Sequence, residues 1–229
     1  MATVAHLNST ASTSNVTSYA TTSFTPTLED LLFVFVYATG TVDASPTCTS
    51  SQGTTFSLIR RDGATDSLYA FIANSTESGL AQTITFGCPN DAATGAVITV
   101  SAIRAGLRTG LLAVRQSNSA TFAAAGTPTV SFSASALTAN CTLVGVGNAT
   151  NPATITPPTG WTERIDTGYA TPTTGFEYST RDSGFTGTAV TCAATSGSAG
   201  RITAIEIEVS ALTFTLPRTM IKSAGVIGR

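Results

Sequence analysis

The chain has 229 residues, of which 42% are hydrophobic and only 10% charged, with a net charge of −2; that is enough apolar material for one large all-β domain, with Thr, Ser, Ala and Gly standing where charge usually does. Lys222 is the single lysine and the arginines are scattered, which excludes the concentrated basic face that nucleic-acid phosphates require. The longest apolar run, Leu31 to Ala38, falls far short of the roughly 20 residues that cross a bilayer, and the first ten residues lack the basic-then-apolar order of a secretory signal.

From the N-terminus, residues 1–14 are rich in Ser and Thr and are expected to be flexible; they hold His6, the only histidine. Period-2 alternation between clusters of Gly, Pro, Asn and Asp then predicts a succession of short strands. The first part supplies Asn15–Phe24, Leu31–Ala38, Thr54–Arg60, Ser67–Ala73, Ala81–Phe86 and Ala96–Ile103. The second supplies Thr127–Phe132, Cys141–Gly147, Trp161–Asp166, Gly175–Thr180, Gly187–Ala193 and Ile202–Val209. Leu31 to Tyr37 is apolar at every position, so both of its faces should be covered. In the last strand Ile205, Ile207 and Val209 alternate with Glu206 and Glu208, which predicts one buried face and one facing water.

An internal repeat organises these elements. LEDLLFVFVYATG resembles LTANCTLVGVGNAT, CTSSQGTTFSLIRRD resembles ITPPTGWTERIDT, and SLYAFIANSTESGLAQTITFGC resembles GFEYSTRDSGFTGTAVTC. The expected fold is therefore a jelly-roll-like antiparallel β-sandwich over residues 15–210, built from two related halves near 15–110 and 120–209. No flexible linker separates them, which favours one sandwich over two tandem domains. Residues 211–229 lie outside the repeat, carry Arg218, Lys222 and Arg229, and are expected to form an extended arm for assembly.

Motifs of chemistry are sparse. A Ser-His-Asp triad would have to use His6 in a frayed end, and paired carboxylates at Glu206 and Glu208 would face water without the apolar pocket that raises a catalytic pKa. Gly145-Val146-Gly147 lacks the third glycine and the helix of a dinucleotide loop. Cys48, Cys88, Cys141 and Cys192 are not spaced as the close doublets of a zinc site. They are either buried free thiols or, if oxidised, pairs within the halves, Cys48 with Cys88 and Cys141 with Cys192. Trp161, the only tryptophan, is expected to plug the sandwich at a strand start, with Phe56 in the matching place of the first half. No enzyme activity, cofactor or metal is expected.

The stretch PPTGWTERIDTGY, followed by TAVTCAAT and RITAIEIEV, resembles a Pro-x-Gly-Trp-Thr β-sandwich module of tailed-bacteriophage structural proteins. The resemblance implies a virion component made in the host cytoplasm. The expected role is head decoration or cement on the outer capsid surface, with the major capsid lattice and other copies of the chain as partners. A tail or fibre module and a carbohydrate-binding sandwich with a glycan contact are the alternatives.

Overall fold

The computed structural model describes residues 3–27, 30–40, 43–63, 65–74, 79–104, 108–150 and 155–209. Among these the chain is all-β. A first unit holds β1 (Thr3–Ser12), β2 (Ser18–Ala20), β3 (Leu31–Thr39), β4 (Thr47–Ser50), β5 (Ser57–Gly63), β6 (Asp66–Asn74), β7 (Ile84–Gly87) and β8 (Gly95–Arg104). One 3-10 turn at Gly110–Ala113 leads to β9 (Val114–Phe122), β10 (Thr129–Ser131), β11 (Cys141–Asn148), β12 (Thr162–Ala170), β13 (Thr173–Arg181), β14 (Ala189–Thr191) and β15 (Gly200–Ile207). All strand pairs are antiparallel.

Two five-stranded sheets dominate, in the orders β1-β8-β3-β6-β5 and β9-β15-β11-β13-β12. The second order is the first one translated strand for strand. A small sheet, β2-β7-β4, covers the outer face of the first large sheet, and β10-β14 covers the second. The inner faces of the two large sheets pack on each other through Phe33, Phe35, Tyr37, Phe176, Tyr178 and their neighbours. The result has four layers. β3 shows why its sequence is apolar throughout: Leu31, Phe33, Phe35 and Tyr37 enter the shared inner core, while Leu32, Val34, Val36 and Ala38 enter the outer one.

The inner core is fitted by size. Phe35 pairs in register with Ala70 in the first sheet, whereas in the second Gly145 pairs with Tyr178. A methyl group added at Gly145 would stand 3.2 Å from the Phe35 ring, and one at Gly147 would overlap the ring of Tyr37. The glycines of Gly145-Val146-Gly147 are thus the space into which aromatic rings of the facing sheet press. At such a site an added methyl is overpacking. Phe35 also stacks edge-on with Phe33 and Tyr178, at centroid distances of 4.7 and 5.5 Å.

Polar side chains close the rims between the units. Arg60 of β5 donates to Ser119 Oγ, Asn118 Oδ1 and the Ser117 carbonyl of β9 at 2.6, 2.8 and 3.4 Å. Arg201 of β15 reaches Asp62 at 3.3 Å, and the hydroxyls of Thr39 and Tyr169 meet at 2.7 Å.

One expectation is corrected here. The N-terminus is not a flexible lead: residues 3–12 form β1, an edge strand paired to β8 along its length, because backbone pairing does not depend on apolar alternation. The antiparallel β-sandwich expected from the sequence is present, and each unit adds an outer core of its own to its share of the inner one. The arm at 211–229, with Arg218, Lys222 and Arg229, lies outside the described residues.

Candidate functional site

The end of the sandwich from which the last described residues emerge is the most elaborated part of the surface. β15 delivers Glu206 to it, and Glu206 is fully buried. Its Oε2 accepts from Arg115 Nη1 and Gln116 Nε2, both at 2.5 Å; its Oε1 accepts from Asn140 Nδ2 at 2.5 Å and from the Leu137 backbone N–H at 2.8 Å. This overturns the solvated face expected for Glu206. Alternation does point the side chain away from the inner core, but Phe132 to Asn140 folds over that face and supplies the two donors to Oε1, while Arg115 and Gln116 of the neighbouring β9 supply the two to Oε2. Four donors and one cationic partner satisfy the charge, the condition under which a buried carboxylate is tolerated.

The same network holds the outgoing chain. Asn140 Oδ1 accepts from the Val209 N–H at 3.1 Å, the Glu208 N–H donates to the Ala113 carbonyl at 2.7 Å, and Arg108 pairs with Glu208 at 3.4 Å. Chain exit is therefore clamped between the 3-10 turn and the Leu137–Asn140 turn. Beside it Leu111 and Leu112 are 48% and 70% exposed. An open cleft of about 390 Å³ runs from Gly110 to the β4–β5 turn, lined by Thr54, Thr55, Ser57, Ile72, Ala73 and Asn74 among others. Asn74 Oδ1 accepts from the Gly110 N–H at 2.9 Å and fixes the cleft's wall.

A second buried carboxyl has no such partners among the described residues. Glu177 on β13 is 1% exposed and its Oε2 meets no donor. It lies across the ladder from Asp166. Burial, with the negative charges of Glu163 and Asp166 beside it, pushes Glu177 up to about 9.

The remaining sequence-derived residues are structural. Trp161 and Phe56 each stand one position before the matching strands β12 and β5. Phe56 is buried in the first outer core, while Trp161 is half-buried against the second and meets Phe185 edge-on at 5.6 Å. Gly160, with φ of +81°, makes the turn that lets the Trp161 N–H reach the Pro158 carbonyl at 3.0 Å. Cys48, Cys88, Cys141 and Cys192 are all buried free thiols, so neither within-half pairing forms. Burial pushes Cys141 and Cys192 up to about 12 and Cys48 higher still, which keeps them protonated and unreactive. His6 lies in β1, its pKa lowered by burial and by Arg164.

Sequence reasoning missed the exit clamp. Its one legible signal was Asn140 just before β11 and Glu206 within β15, and nothing in their spacing shows that they meet. Comparison of the chain with protein-family models, curated proteins and solved structures found no match.

Proposed function

We propose that this chain is a non-enzymatic structural protein of a tailed-phage virion, seated as decoration or cement on the outer surface of the capsid lattice and contacting other copies of itself. The observation that carries the reading is the clamped chain beside exposed Leu111 and Leu112: a buried ion pair and four further hydrogen bonds fix the chain as far as Val209. The described residues at this end form no reactive constellation, whereas a protein that joins others through a terminal segment gains from a fixed point of departure. The phage-module resemblance of PPTGWTERIDTGY and the neutral, hydroxyl-rich composition support the same assignment.

The test is co-sedimentation of the purified protein with assembled capsids and, separately, with tails. Saturable binding to capsids supports the proposal. Binding to tails alone transfers the chain to a tail or fibre role, and binding to neither removes the virion reading. A glycan array on the same preparation checks the carbohydrate-binding alternative.

A further inference from the structure

We propose that residues 210–229 of a second copy dock into the cleft between the 3-10 turn and β5, with Leu111 and Leu112 as the apolar rim. The inference rests on the assembly reading above and names the seat.

Three observations lead to it. The first is the shape and chemistry of the seat. The cleft of about 390 Å³ presents the hydroxyls of Thr54, Thr55 and Ser57 beside the apolar Ile72 and Ala73. Leu111 and Leu112 follow directly on Gly110, which lines it, and Leu58, 37% exposed, follows Ser57. Exposed leucines around a concave site mark an interaction surface more strongly than the same leucines scattered singly.

The second is the complementary pattern of the segment. Leu212, Phe214 and Leu216 alternate with Thr213 and Thr215, so an extended peptide shows one apolar and one hydroxyl face. This is the pattern that enters a mixed groove beside a sheet edge, where alternate side chains find pockets. β5 is such an edge, the last strand of its sheet.

The third is charge. Residues 210–229 hold three of the eleven basic side chains and none of the thirteen acidic ones, so the segment carries +3 and the rest of the chain −5. Attraction between segment and body speeds encounter and favours this pairing over contact between two bodies. The clamp gives the chain a fixed course up to the segment. β15 runs out of the end of the sandwich, and Glu208 and Val209 are held in that course by Ala113 and Asn140. Docking of a chain's own segment would leave the full chain monomeric, so the oligomeric state separates the two occupants.

The experiment uses the full chain, a truncation ending at Ser210, and a fluorescent synthetic peptide of residues 210–229. Light scattering of the full chain is expected to show a concentration-dependent oligomer that the truncation lacks. Peptide anisotropy is expected to saturate on the truncated protein and to weaken at least ten-fold with Leu112→Asp or Ser57→Trp. Both positions are exposed, so an unchanged melting transition verifies the fold. A monomeric full chain, or equal peptide binding by the variants, overturns the proposal. No capsid takes part, so a failed co-sedimentation leaves this result standing, and the reverse holds equally.

Discussion

The two units share one strand order, yet their outer cores are built differently. Among the described residues, nineteen buried hydrophobic side chains form the core under the three-stranded cover of the first, with Tyr19, Tyr69, Phe71 and Phe86 among them; under the two-stranded cover of the second, ten do. The ladder positions make the contrast exact. Val36 is paired with Tyr69 and Val146 with Glu177; Leu32 with Ala102 and Thr142 with Glu206. Where the first unit places an aromatic ring and a methyl group, the second places two carboxyls. The frame of a sheet thus fixes where a side chain points and leaves open whether the layer above it is oil or a hydrogen-bond network. The thinner apolar cover of the second unit is compensated at Glu206 and left uncompensated at Glu177.

Separating the units is the most drastic way to break the comparison. Residues 1–107 and 108–229 expressed alone should each fail to yield a soluble monomer, because the inner face with Phe33, Phe35 and Tyr37, or with Phe176 and Tyr178, would be bare. Coexpression should restore a soluble complex. A half that melts cooperatively by itself would show that the outer cores suffice.

Next comes the uncompensated carboxyl. Glu177 has a pKa near 9 in the folded chain against 4.5 when unfolded. The folded state therefore holds the extra proton, and the stability this permits is complete below about pH 4.5 and is lost as pH rises to about 9. The slope approaches about 1.4 kcal/mol per pH unit within that window. Denaturation of Glu177→Gln from pH 5 to 9.5 should be flatter than that of the parent and should show the variant more stable at the alkaline end. Parallel profiles would refute the assignment.

The compensated carboxyl responds in the opposite sense. Arg115→Ala strands the fully buried Glu206 without its cation and should cost about 3–5 kcal/mol, read from urea unfolding. A loss below 1 kcal/mol would mean that the amide donors alone hold the charge. On the inner face, Gly147→Ala forces a methyl into the Tyr37 ring and should cost about 1–3 kcal/mol, whereas the same change at Gly197, which has open space around it, should cost little. The smallest effect concerns the thiols: a thiol reagent at pH 8 should leave all four cysteines of the native protein unmodified for hours and titrate four after unfolding. Fewer than four would reveal a disulfide.

Much of this was legible beforehand, for identifiable reasons. The run Leu31–Tyr37 announced a strand covered on both sides, and Ile205 and Ile207 announced an inner face. The all-β class followed from the same periodicity. β1 and β9 escaped notice because their sequences, TVAHLNSTAS and VRQSNSATF, lack apolar alternation; edge strands half-covered on one side do not need it. A signal did exist: Asn8-Ser9 and Asn118-Ser119 occupy matching rungs against Val100-Thr99 and Ala204-Thr203. Glu206 was misjudged because alternation reports the side of a sheet and is silent about a loop arriving from seventy residues away.

The fitted sizes on the inner face carry a last consequence. Phe35 and Tyr37 need Gly145 and Gly147 opposite them. Two N-terminal units facing each other would bring four rings into the same space, and two C-terminal units would leave a hole lined by glycine. On this inner face the chain is a tethered heterodimer, in which unlike units fit and like units do not.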